Sequence, residues 1–551
     1  MAILGLDIEE AAQASAPIAK TSFWKHSRAY MLAVAAYMGI FIFGYDTGLG
    51  GGVLVLPTFA SEFGITGTAT EVANLQGNVV SILQGGCFFG ALLGAPITTR
   101  IGRKWSLIGS CVVFLAGGAI QTGSSGSLAQ FYVGRLVCGL GVGTMSMVCP
   151  TYVSELSPKE IRGKVTGLFQ VIVVIGVAFS YWINYGVTFI NPSRGAVQWR
   201  IPIGFQFVPV GLMLCFLPFL KESPRWLATK HREDAALDNL AWIRKASTDD
   251  PDVQAEFAEI VAAIREEEHL SKGSSWREIF AKGNPIRFII AFLIFTFQQW
   301  SGQNSISYFA PTIFKSIGIK GASSSLLASG IYGIVKIIAT GVFIAFGIER
   351  FGRKKSLALG LGLMSMFLWI IGAIFHTHPP DANAATVSSA SIGMAVMIYL
   401  FVVPYCFSVG PVPWVYCSEI FNNRTRAYGL MTAAASQWFW NFFVSRFTPN
   451  MVIALSNGGI VSPVRSPSPV FQIVQPVDIA QFFFFAAINI VSCGLALLLP
   501  ETKGLSLESM DVLFGSVTKE QREADIARRA ADQAERSQEE EKEARKHLEE
   551  V

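Results

Sequence analysis

From Arg28 to Glu62 the chain is almost wholly apolar, and runs of the same character recur along its length. They lie near residues 29–56, 75–98, 106–122, 128–152, 165–187 and 201–220, then near 286–314, 323–347, 355–376, 391–418, 427–454 and 478–499. Nearly all reach the ~20 residues an α-helix needs to cross the hydrocarbon core of a bilayer. The pattern predicts an all-α polytopic membrane protein with twelve transmembrane helices, arranged as six plus six. Between the two sets the polar stretch from Lys221 to about Asn284 carries helical periodicity at Glu233 to Arg244 and Val253 to Glu268. The organisation expected is a tail at 1–28, a six-helix bundle at 29–220, a helical linker at 221–285, a second six-helix bundle at 286–499 and a tail at 500–551.

Composition supports lipid as the main solvent. Of 551 residues 51% are hydrophobic and only 15% charged, where a soluble protein carries about 25% charge; mean hydropathy is +0.44. The net charge of +4 is small and its cations lie in loops, which speaks to orientation and against nucleic-acid binding. Connections bearing Arg100, Arg103 and Lys104, Lys159 to Lys164, Arg350 to Lys355, and Arg424 with Arg426 alternate with connections at 57–74, 123–127 and 377–390 that have no Lys or Arg. The positive-inside rule therefore puts both termini and the linker in the cytoplasm, with the cell membrane as the expected site. Asp7, Glu9 and Glu10 precede any apolar run, so the start does not read as a cleavable signal. All eight cysteines fall in apolar segments without metal spacing and read as small buried hydrophobes. His376 and His378 read as outer-loop surface. The alternating charges from Lys519 to Glu550 read as a solvated helix or disorder.

Asp46 is the only Asp, Glu, Lys or Arg between Arg28 and Glu62. A carboxylate at mid-membrane costs about 2.5–3.5 kcal/mol on insertion scales, so it needs a partner, a proton or a water-filled cavity. Proton coupling and a structural ion pair are both open on position alone. In the seventh run Gln298, Gln299, Ser301, Gln303, Asn304, Ser305 and Ser307 break the apolar pattern, and such side chains cannot face lipid unpaired. Amides suit a neutral polyol because each offers donors and acceptors, as does a hydroxyl. Lys336, midway along the eighth run, has no evident intramembrane acid in its half. It is neutral, reaches a carbonyl, or meets an anionic ligand. No enzyme motif accompanies these residues. Gly139-x-Gly141-x-Gly143 lies within an apolar helix and reads as close packing, and no HExxH, Walker or CxxC pattern occurs, so neither cofactor nor metal is expected.

The two halves repeat one another. Arg100-Ile101-Gly102-Arg103-Lys104 returns as Arg350-Phe351-Gly352-Arg353-Lys354; Glu155 with Arg162 returns as Glu419 with Arg426; Glu222-Ser223 returns as Glu501-Thr502. Three pairs in one order indicate a duplicated six-helix unit. Bundles of this kind rock about a central cavity, and Arg103, Glu155, Arg162, Arg353, Glu419 and Arg426 are candidate cytoplasmic ion-pair latches.

With Pro150-x-Tyr152-x-Ser154-Glu155, Glu222-Ser223-Pro224-Arg225, Gln298-Gln299 with Asn304, Gly410-Pro411-x-Pro413-Trp414 and Pro500-Glu501-Thr502-Lys503-Gly504, the chain from about Tyr30 to Leu505 resembles the sugar porter family of the major facilitator superfamily. Thr99 departs from it, standing where an acidic or polar residue usually precedes the arginine. The resemblance implies a sugar site at Gln298, Gln299, Asn304, Gln170, Trp414 and Asn441, flanked by Phe43 and Trp438, with Arg135 facing Asp46. Where this chain has Lys336, the resemblance implies an asparagine in a ligand position, and a lysine there admits a sugar acid as cargo. The function expected is proton-coupled uptake of a monosaccharide, a hexose such as glucose, or xylose, by alternating access in a monomer. A facilitative uniporter, a sugar sensor and a sugar-acid transporter are the alternatives.

Overall fold

The structure, a computed structural model, describes residues 26–65, 67–271, 280, 283–346, 352–380, 386–421, 425–457, 479–503 and 514. The expected N-terminal tail, the loop near 455–477 and most of the C-terminal tail lie outside the described residues, as do the side chains of Arg162 and Arg426. Among the described residues the chain is helical throughout, with no strand.

Among the described residues the helices group into twelve spans. The first six are Ser27–Leu54, Ala69–Ile101, Arg103–Thr122, Leu128–Leu156, Lys159–Val187, and Val197–Gly204 continued by Phe207–Phe216. The second six are Asn284–Trp300 with Gln303–Ser316, Ala322–Phe346, Arg353–Thr377, Ser389–Phe407 with Val412–Ile420, Arg426–Asn457, and Ile479–Ala496. Among the described residues nine are long and apolar enough to cross a membrane unaided. The seventh is broken, the eleventh is interrupted by amides and hydroxyls, and the twelfth is short.

Local chemistry explains where the spans depart from the apolar runs. The second starts early because Thr68 and Glu71 form a capping box, each side chain bonding the other's backbone N–H. The seventh, expected as one helix, breaks at Ser301–Gly302, where Gly302 has φ 87° and an added Cβ would meet the Phe485 ring at 2.9 Å. The tenth stops at Phe407 and restarts at Val412, because Pro411 and Pro413 cannot donate into a continuing ladder.

Within the first half the second and third spans pack on the fourth, and the first on the fifth; within the second half the ninth packs on the twelfth and tenth. The halves meet where the second span packs on the eleventh, the fifth on the eighth, and the first on Gln303–Ser316. Outward faces stay apolar, with Phe89, Leu93, Val112, Leu212, Phe216, Ile338 and Leu400 all exposed. Cys215 corrects the expectation that every cysteine is buried: it is exposed, between the exposed Leu212 and Phe216. Lipid is an apolar surrounding too, so an apolar run does not tell core from bilayer.

Among its described residues the linker holds the helices Pro224–Thr229, Glu233–Arg244 and Pro251–Ser271. It docks on the first half. Arg28 donates to the Trp242 carbonyl at 2.6 Å, and Arg244 pairs with Glu256 while its Nη1 donates to the Leu156 carbonyl at 2.9 Å, satisfying the end of the fourth span.

Candidate functional site

Glycine brings the first span into the centre. At Gly44 an added Cβ would strike the Val173 carbonyl, at Gly48 the Ser180 hydroxyl, and at Gly51 the Tyr308 carbonyl, so the span nests against the fifth and the seventh. Asp46 is thereby buried, 2% exposed, and Arg135 of the fourth span reaches it with 3.4 Å between Nη1 and Oδ1. Arg135 Nε also donates to the Val79 carbonyl of the second span at 3.0 Å, so the guanidinium is held from two sides. The contact is single and longer than the ~2.7–2.9 Å of a strong charge-assisted bond, and Asp46 Oδ2 has no hydrogen-bond partner among the described residues.

The polar residues of the seventh span face four ways. Gln298 Nε2 donates to the carbonyls of Val409 and Gly410 at 2.8 and 3.1 Å, tying down the break in the tenth span and leaving Oε1 without a hydrogen-bond partner. Asn304 donates to Gln299 Oε1. Ser301 and Ser305 bond the twelfth span, accepting from Asn489 and Gln481. Gln303 donates to Ser307 Oγ at 2.9 Å and to Tyr332 Oη at 2.6 Å on the eighth. Tyr308 donates to Asn441 Oδ1 at 2.9 Å.

Aromatic residues bracket this region. Phe43 and Trp438 meet edge-to-face across the halves with centroids 5.2 Å apart, and Trp414, half-buried, packs edge-on against Phe295 at 4.7 Å. Gln170 is half-buried, one turn before the Val173 carbonyl that meets Gly44. Lys336 is buried with Nζ 3.3 Å from Ser307 Oγ. At the basic end Arg103 pairs with Glu155 and Arg353 with Glu419, each inside its own half.

Three features escaped the sequence reading. Tyr181 of the fifth span donates to the Ser307 carbonyl, joining the halves beside Lys336. Asn74 of the second span accepts from Arg446 and Asn450 of the eleventh, both at 2.9 Å, at the end opposite the basic loops. Arg446, a cation inside an apolar run, was the available signal for that contact. Glu222 and Glu501 cap the starts of the third and ninth spans.

Two bundles of six spans, a buried acid–base pair and an amide-rich broken helix at their junction define a polytopic small-molecule transporter. The chain belongs to the sugar (and other) transporter family, which matches it over residues 32–514. It is 37% identical over 499 residues to a probable quinate permease of Neosartorya fischeri, covering 89% of this chain and 88% of that one. Identity to the quinate permease of Emericella nidulans is 35% over 497 residues, with 88% of each covered. Among solved structures it is similar to the proton:xylose symporter XylE of E. coli bound to 6-bromo-6-deoxy-D-glucose, with TM-score 0.70, 26% identity, and 89% and 99% of the two chains covered.

Proposed function

We propose that the chain imports a small polyhydroxylated ring molecule across the cell membrane by alternating access, as a monomer, with Asp46 carrying a coupled proton. The two bundles are residues 29–220 and 286–499, and the basic end with both termini faces the cytoplasm. The observation that carries this reading is the Asp46–Arg135 contact: buried, single and long, with one carboxylate oxygen left over to hold a proton. XylE, a proton:xylose symporter by name, supports the coupling. Gln170, Gln298, Gln299, Asn304 and Asn441 supply donors and acceptors to ring hydroxyls, and Phe43, Trp414 and Trp438 cover the apolar ring face. Arg103–Glu155 and Arg353–Glu419, with Arg162 and Arg426, act as latches at the cytoplasmic end. Glucose and xylose are cargoes of the expected kind; the relatives' names add quinate, a ring polyol that also bears a carboxylate.

One proton crossing ~100 mV gains about 2.3 kcal/mol, and each pH unit adds about 1.4 kcal/mol, enough for concentrative uptake. The test is uptake of glucose, xylose and quinate into proteoliposomes holding the purified chain, with and without an imposed proton gradient. Asp46→Asn is expected to abolish accumulation while sparing counterflow exchange. Uptake that ignores the gradient, or an Asp46→Asn chain that still accumulates cargo uphill, gives way to a facilitator; no uptake of any cargo gives way to a sensor.

A further inference from the structure

The two halves treat their central cations differently. Arg135 has Asp46. Lys336, 6% exposed, joins no ion pair among the described residues, and the described acids of residues 284–503 are Glu419 and Glu501, both at the basic end. Its ammonium has the Ser307 hydroxyl at 3.3 Å and the rings of Tyr332 and Tyr405, each with its centroid 5.8 Å away. A hydroxyl and two ring faces ease a buried positive charge without neutralising it. An ammonium has three N–H donors, and Ser307 takes one.

The surroundings place this charge at the junction of the halves. Ser307 follows Asn304 by one helical turn, so the two side chains share a face of the seventh span. The Ser307 carbonyl accepts from Tyr181 of the opposite half, and the Tyr332 and Tyr181 rings lie 6.4 Å apart. Gly330 and Gly333 of the same helix let it approach Trp182 and Ala178 of the fifth span. The Ser307 and Tyr332 hydroxyls share one hydrogen bond at 3.2 Å, which leaves one hydroxyl proton of the pair beside the ammonium; with the remaining N–H donors of Lys336 it makes a donor set that fits the two oxygens of a carboxylate.

We propose that Lys336, with Ser307 and Tyr332, receives the carboxylate of an anionic polyhydroxylated cargo and sets the preference for hydroxy acids over neutral sugars. This rests on the transport reading above and names the substrate class of that site. It carries an electrical consequence. A monoanion moving with one proton carries no net charge, so a pH gradient drives its uptake and membrane potential does not, whereas a neutral cargo with a proton responds to both.

The test uses the full chain in proteoliposomes, with quinate as the anionic probe, its methyl ester as the neutral twin and glucose as the plain sugar. The wild-type chain is expected to take quinate with an apparent affinity about 10- to 100-fold above the ester. Lys336→Gln removes that gap by weakening quinate alone, and Lys336→Arg restores part of it. A wild-type chain that takes the ester or glucose as well as quinate, or fails to take quinate, overturns the proposal, as does a Lys336→Gln chain that keeps the preference. The wild-type comparison needs no variant to fold. Loss of gradient dependence with the quinate preference intact sinks proton coupling and leaves Lys336 its role.

Discussion

The basic end holds the same device twice, built to different depths. In the first half Arg103 grips Glu155 with two bonds, Nε to Oε2 at 3.0 Å and Nη2 to Oε1 at 2.8 Å, and Ser223 adds its hydroxyl to Glu155. In the second half Arg353 reaches Glu419 with one bond at 2.7 Å, and Thr502 takes the place of Ser223. Side-chain exposure is 16% and 9% for the first pair and 19% and 27% for the second. Behind each pair a glutamate caps a helix start: Glu222 accepts from the N–H groups of Arg103, Lys104 and Ser223, and Glu501 from those of Arg353, Lys354, Thr502 and Lys503. Burial pushes the Glu222 carboxyl above its ordinary value, the N–H bonds offsetting only part of it. At Glu501 burial also pushes upward, but four backbone donors outweigh it and the carboxyl titrates low. Duplication preserved the bonding plan, and depth then decided whether the same carboxylate adds to or subtracts from stability at neutral pH.

Breaking the pairs should expose the difference most strongly. Arg103→Ala leaves Glu155 nearly buried and is expected to cost about 3 kcal/mol, against about 1 kcal/mol for Arg353→Ala, whose partner reaches solvent. Thermal unfolding in detergent would show it, and equal losses would mean that depth does not matter. A smaller contrast is expected at the glycines before each helix. Gly102 has φ 98° and Gly352 φ −65°, so Gly102→Ala adds backbone strain of about 1–2 kcal/mol that Gly352→Ala does not; both must also displace the capping glutamate. The mildest contrast lies in pH. Because the folded Glu222 carboxyl sits above the free value of 4.5, its ionisation takes stability away as pH rises through that window. Glu222→Gln should therefore gain on the parent between acid and neutral pH. Glu501 sits below 4.5, so its contribution is present at neutral pH and lost as pH falls through the folded value. Glu501→Gln should be weaker than the parent at pH 7 and match it in acid; parallel melting curves for the two variants would remove the distinction.

Much of this was legible because it is local or repeated. Apolar runs gave the spans, and the recurrence of Arg-x-Gly-Arg-Lys with Glu155 and Glu419 singled out the residues that pair at the basic end. Asp46 announced itself by cost. Its contact with Arg135, 89 positions away, was expected only through the family resemblance. The seventh span shows where sequence runs out: its amides had to face something polar, but whether that was cargo, another helix or a broken backbone depends on partners that lie anywhere from 4 to 112 positions away. Gln298 spends its donors on the carbonyls of Val409 and Gly410, and Gln303 on Ser307 and Tyr332. Tyrosines in apolar helices carry no mark of such a network. The break at Gly302 depends on a positive φ opposite Phe485, and neither is written in the apolar pattern.

The contact of Asn74 with Arg446 and Asn450 reaches beyond architecture. On the alternating-access reading proposed above, two hydrogen bonds worth about 1 kcal/mol each would hold that end shut by a factor of roughly thirty. A molecule arriving from that side then meets a receptive site only a small fraction of the time, and its apparent dissociation constant rises by the inverse of that fraction. A chain with a tight central site can thus show a modest appetite for what lies outside it. Loosening Asn74, with the site left untouched, is the simplest route to a scavenger of scarce cargo.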